Sequence, residues 1–287
     1  MKPTASHKIT TGRSATSQET LKALLIDPNP CISSLAMEQM LQNRSQCEKF
    51  IADNQDSDEL ALRKCTHQLA GCLRLKLLQE QFVTQFEQGS LDAWNALLLV
   101  DQLYDQRSSS SYVQDLFLEL LDNFQFTGAI TLRKVAKYMK DRKFSAPPHP
   151  ILNIGHYLVG DVLENFQGTA LVLCLLVRQL ARCHSLPLQL CLCGGKFCLA
   201  DRNQNLLDPT EDWKVISAVA PDEMHACTSQ EAIRIYLVQL LASSVMVWEV
   251  YDVHLFAQLL LRIEGLNREK LPYPYGNFLA PAPDPEP

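Results

Sequence analysis

Apolar residues recur along much of this chain at intervals of three and four, the spacing of one face of a helix. Leu21, Leu24 and Leu25 form a first stripe, broken at Asp27-Pro28-Asn29-Pro30. The stripe resumes at Ile32, Leu35, Met37, Met40 and Leu41. Asp56, Ser57 or Asp58 is placed to cap a later helix carrying Leu60, Leu62, Cys65, Leu69 and Cys72. A new helix follows Gly89-Ser90-Leu91-Asp92, with Leu97, Leu98, Leu99 and Leu103 as its apolar face. Ser108 to Ser111 read as a loop. Another amphipathic helix carries Val113, Leu116, Leu118, Leu120, Leu121 and Phe124, and a shorter one spans Leu132 to Met139.

The pattern changes after Phe144. Residues 144–150 are proline-rich and expected to be extended, because each proline pushes its predecessor out of the α region. From Ala170 to Val177 the residues are apolar on every side, which predicts a helix buried all round. Thr169 is its expected cap, and Leu186-Pro187 ends it. Period-two alternation then begins at Leu188-Gln189-Leu190-Cys191-Leu192-Cys193. Gly194-Gly195 makes a two-residue hairpin turn, residues 196–200 return, and Leu206-Leu207 forms a third short strand. Helical spacing resumes at residue 229. One stripe holds Ile233, Leu237, Leu240 and Leu241. A second, after Trp248 and Tyr251, holds Leu255, Phe256, Leu259, Leu260 and Ile263. Gly265 is placed to terminate it. The expected class is therefore α+β and predominantly helical, with a small antiparallel sheet on a buried helix.

Composition narrows the function classes. The formal charge is -6 and no long basic run is present, so nucleic acid is not the expected partner. No run of eighteen apolar residues and no signal-peptide core is present, so a cytoplasmic location and no membrane partner are expected. The ten cysteines then read as reduced thiols acting mostly as small buried hydrophobes. They contain no CxxC pair.

Three cysteines still invite chemistry. With Gly194-Gly195 as the turn, Cys193 pairs with Lys196 and Cys191 lies opposite Cys198, so Cys191, Cys193 and Cys198 share one face. They would hold a soft cation if Cys174 or His184 came near as a fourth ligand. The plainer reading is that the three sulfurs fill a tight space against the buried helix, with no metal and no cofactor. Cys174 lies in the all-apolar part of the helix, where burial makes a thiol inert. A catalytic alternative combines Cys191 or Cys198 with His156 or His184 and Asp208, for acyl transfer or peptide hydrolysis.

Several stretches carry a resemblance. These are Val162-Leu163-Glu164-Asn165-Phe166-Gln167-Gly168-Thr169-Ala170, then Leu180-Ala181-Arg182-Cys183-His184-Ser185-Leu186-Pro187-Leu188, then Leu206-Leu207-Asp208-Pro209. They resemble the SirB1 (YchA)-like family of bacterial transglutaminase-like proteins. The resemblance implies a degenerate transglutaminase-like core, HEAT-like helices before it and a tetratricopeptide-like helical hairpin after it. The implied organisation is a disordered N-terminus over residues 1–17, a HEAT-like region over 18–88, the SirB1-like domain over 89–220, the hairpin over 221–268, and a proline-rich tail over 269–287. Where the superfamily has a nucleophilic Cys, this chain has Thr169 or Ala170. Where it has a His on the next strand, this chain has Lys196, and only Asp208 remains of a possible triad. The arginine expected before the helix is Phe166. A triad needs nucleophile, base and orienter together. The expected function is therefore a non-catalytic pseudoenzyme that binds a protein or peptide partner, in the groove between the helical N-terminal region and the C-terminal hairpin.

Overall fold

Asparagine caps and prolines punctuate the first of two compact units, Met1–Leu77. The computed structural model describes residues 12–105, 110–125, 128–217 and 219–265. Helix α1 (Gly12–Leu25) starts within the stretch expected to be disordered, while residues 1–11 and the expected proline-rich tail lie outside the described residues. The break at residues 27–30 becomes the start of α2 (Pro30–Gln42). There the Asn29 side chain accepts the Cys31 N–H at 3.0 Å, and Pro30 occupies a first-turn position that needs no donor. Asn43 caps α3 (Arg44–Asn54) through the Gln46 N–H. Leu25, Met40, Cys47, Phe50 and Leu69 fill this unit's core. The Lys76 ammonium donates to the Leu41 carbonyl at 2.6 Å, satisfying an orphan acceptor at the end of α2. Helix α4 (Leu60–Glu87) begins in this unit and ends in the second, Leu78–Pro287.

In the second unit, Asp92 caps α5 (Ala93–Tyr104) and Thr131 caps α7 (Leu132–Asp141), each accepting an N–H three residues on. Between them lies α6 (Ser110–Asp122), which takes in the end of the expected serine loop; residues 106–109 lie outside the described residues. The segment after Phe144 is extended as far as a parallel bridge between Ser145 and Gln167, but Pro150 already opens a 3-10 turn, Pro150–Leu152. A second such turn, Ile154–His156, leads into α8 (Val159–Asn165), which stops at Phe166 in the left-handed conformation, φ 60°. Gly168 follows. A Cβ there would lie 2.9 Å from both methyls of Val162, so the close return of the chain needs a glycine.

Thr169 then caps α9 (Ala170–Cys183), accepting the Val172 N–H. Leu171 to Val177 are all buried, as a helix without a polar face requires. Beside it is an antiparallel sheet of β1 (Gln189–Cys193), β2 (Lys196–Ala200), β3 (Leu206–Asp208), β4 (Lys214–Ile216) and β5 (Met224–Ala226), in the order β4-β3-β2-β1-β5. The sequence pattern yields only the first three of these strands. All of the last three are three residues long, but β3 is marked by the turn at residues 201–205 before it, a signal the outer two lack. A capping box of Thr228 and Glu231 opens α10 (Ser229–Val247), and α11 (Val250–Glu264) ends at Gly265 with φ 60°. The two pack as a hairpin, tied by the ion pair of Arg234 with Glu264 at 2.6 Å. The chain is thus α+β and mostly helical, with one small antiparallel sheet, and no described helix is long and apolar enough to cross a membrane.

Candidate functional site

The positions singled out by the sequence resemblance, Thr169, Ala170, Lys196 and Asp208, lie at the start of α9 and on β2 and β3. Thr169 uses its hydroxyl as a helix cap, and its N–H donates to the His156 carbonyl at 2.8 Å. Ala170 is the first residue of α9 and carries no functional group. Lys196 starts β2 directly across from Cys193, in the register expected from the Gly194-Gly195 turn. Its ammonium lies 2.9 Å from Glu211 and 3.7 Å from Asp208. Glu211 in turn holds Lys214 at 3.1 Å. The hydrogen bond from Lys196 drives the Glu211 carboxyl below its ordinary range, and the same bond, with Asp208, drives Lys196 upward. An ammonium held in this way offers no lone pair for general-base work.

Asp208 is 3% exposed. One carboxylate oxygen accepts both the backbone N–H and the hydroxyl of Thr210, each at 2.7 Å. This is an Asx-type turn that carries the chain from β3 into the 3-10 turn Pro209–Glu211.

The expected register also holds for the sulfurs. Cys191 faces Cys198 across β1 and β2, and the Cys191 thiol donates to the Cys198 carbonyl at 3.4 Å. Cys191, Cys193 and Cys198 do share a face. Their apolar neighbours, however, are Ala200, Leu206, Ile216, Val219 and Met224, strand and loop residues rather than the expected side of α9. Helix α9 meets the sheet through Cys174, whose thiol donates to the Phe197 carbonyl at 3.6 Å. Burial, the first cause in each case, pushes Cys191 to about 11 and Cys198 to about 12, and Cys174 well up. For Cys198, the Asp208 carboxylate adds to the rise.

The two candidate bases sit elsewhere. His156 lies in the Ile154–His156 turn with Nδ1 3.4 Å from the Pro150 carbonyl. His184 follows α9, its ring 5.2 Å from that of Phe124. Among the described residues no imidazole hydrogen-bonds a thiol, and no group of three or more His, Cys, Asp or Glu side chains is placed to hold a metal ion.

Two features go beyond the sequence reading. Asp101 on α5 is 7% exposed and accepts the Gly160 N–H at 3.1 Å, supplying the start of α8 with an acceptor from another helix. Burial, first among several causes, raises its carboxyl to about 7. The other is the bend between α10 and α11. Met246, Val247, Trp248, Val250 and Tyr251 are between 47% and 64% exposed there, and Trp248 adopts φ 62° to cap α10. In the sequence Trp248 and Tyr251 are candidates to mark a partner groove, although an aromatic at a helix bend usually serves packing. No family model matches the chain, and neither curated proteins nor solved structures yield a match.

Proposed function

We propose that this chain is a non-catalytic, SirB1-like module with a transglutaminase-like core, and that it acts by binding a protein partner through the α10–α11 bend. The observation that carries the reading is the contiguous exposed strip of Met246, Val247, Trp248, Val250 and Tyr251. Large apolar side chains grouped on a surface mark interaction sites, and tryptophan and tyrosine dominate the energetics of such sites. Leu152, 60% exposed, lies on the turn that packs against α10. The chemistry of the core supports the same reading. Lys196 and Asp208 neutralise each other, and the thiols beside them are held protonated. Ten free cysteines accord with a reducing cytoplasm. The net charge of -6 favours a protein over a nucleic acid as the partner.

The test is affinity capture with matched variants of the full chain. Proteins retained by the wild type should be lost with the double variant Trp248→Glu, Val250→Glu and kept with Cys191→Ala or Cys198→Ala. The opposite pattern, retention by the bend variant and loss with either cysteine variant, would move the function to the thiols and sink the proposal.

A further inference from the structure

A second surface lies at the far end of the sheet from Lys196. It is a groove of two hollows, about 670 and 340 Å³, joined through Leu186, Pro187 and Arg202, which line both. One wall comes from the start of α7, with Arg133, and another from the end of α9, with Arg178 and Arg182. The floor is apolar at Leu186, Pro187 and Val215. Four arginines therefore line the two joined hollows in a chain whose net charge is -6. Among the described residues none of the four is ion-paired. The one carboxylate in the lining, Asp201, is already engaged. Its two oxygens take the N–H groups of Asn203 and Asn205 and the Asn205 side-chain amide, at 2.8 to 2.9 Å.

The position of Arg182 in the last turn of α9 explains one cation, through the negative end of the helix dipole. It does not explain Arg133, which sits at the start of its helix where the dipole opposes a positive charge, nor Arg202 in a turn. Their shared feature is the groove. Guanidinium groups are planar five-donor forks suited to carboxylates. Apolar floor and cationic rim together suit an extended segment that alternates acidic and apolar side chains. No aromatic side chain lines either hollow, so the stacking platform that a single-stranded nucleic acid uses is missing from this lining.

We infer that the Arg133–Arg178–Arg182–Arg202 groove docks an acidic, extended peptide segment of a protein partner, its carboxylates on the guanidinium rim and its apolar side chains on Leu186 and Pro187. This site is separate from the α10–α11 bend and does not depend on that reading.

The test is fluorescence anisotropy of a dye-labelled peptide of alternating glutamate and leucine, titrated with the full chain. Binding is expected at low salt and should weaken as salt screens the pairs. The double variant Arg178→Glu, Arg202→Glu should bind at least about tenfold more weakly, and Arg178→Gln, Arg202→Gln should fall between it and wild type. Melting curves check that both variants fold. Charge reversal at Arg44, in the other compact unit, should leave binding unchanged, and so should Trp248→Glu, Val250→Glu. Equal binding of the groove variants and wild type, or equal binding of a glutamine–leucine peptide, overturns the inference. So does displacement of the peptide by oligothymidine at a lower concentration than by unlabelled peptide, which would give the groove to nucleic acid.

Discussion

The two ends of the β2–β3 pair carry the same kinds of side chain and use them in opposite ways. At one end Lys196 meets Asp208 and Glu211, and every charge finds its opposite within the chain. At the other end Asp201 spends its oxygens on the local turn, and Arg202 faces a groove with three further arginines and no described counter-charge. Both aspartates build Asx-type turns, so the difference lies in what the cations meet: Asp208 and Glu211 at one end, a groove at the other. Charges neutralised inside a structure serve its stability, whereas charges left open to a groove remain available to a ligand. The Lys196 end is closed in this sense, and the Arg202 end is open.

The largest test of this contrast is Asp208→Ala. It removes the buried carboxylate that holds the N–H and hydroxyl of exposed Thr210, and should cost about 3 kcal/mol, the low end for two hydrogen bonds to a charged group at about 1.5–3 kcal/mol each. A denaturant midpoint unchanged by this substitution would mean that the closed end holds nothing together. Next comes Asp101, buried like Asp208 but with no cation bonded to it among the described residues. Its carboxyl ionises at about 7 when folded and at 3.8 ordinarily. Between those pH values the native state keeps a proton that the unfolded chain has lost. Stability should therefore fall as pH rises from about 4 and level off above about 7. Asp101→Asn keeps an acceptor for Gly160 and cannot ionise, so it should remove that slope. The gain near pH 8 should be on the order of 3 kcal/mol. An unaltered pH profile of melting temperature in the variant would exclude Asp101 as its source.

The thiols give a smaller, kinetic measure of the closed end. A thiol at about 11 rather than the ordinary 9.0 holds about a hundredfold less thiolate at neutral pH. Cys174, Cys191 and Cys198 should therefore be alkylated more than about a hundredfold more slowly than exposed Cys183 in the native protein, as followed by mass spectrometry. Rapid reaction of any of the three would reopen the case for a nucleophile. The smallest expected effect lies at the open end. Arg202→Ala breaks no described bond and should change stability by less than about 0.5 kcal/mol. A loss approaching that of Asp208→Ala would show that the groove arginines are structural and would erase the contrast.

Much of the fold was legible in the residues because its signals are local. Thr169 before an all-apolar run is a cap, and Gly194-Gly195 after an alternating run is a hairpin whose turn gives the β1–β2 register that puts Cys191 across from Cys198. The strands β4 and β5 were not legible, because three residues carry too little pattern unless a turn signal marks them, as residues 201–205 mark β3. For the same reason the covering of the cysteine face by Ile216, Val219 and Met224 was assigned to α9 instead. The chain's candidate site divides in the same way. That Thr169, Ala170, Lys196 and Asp208 form no nucleophile–base–acid set is a matter of residue identity and needs no structure.

The amino-acid order by itself therefore determined the helical class, the buried helix and the central hairpin, because propensity, capping and turn chemistry act over a few residues. The tertiary structure alone decided which charges are spent and which remain open. Arg133, Arg178, Arg182 and Arg202 span 70 positions, and nothing in their local sequence says that they share one groove while Lys196 is captured by Glu211. The exposure of Trp248 belongs to the same category. An apolar side chain at a bend is buried or bare according to what packs over it, and that is settled only when the elements assemble.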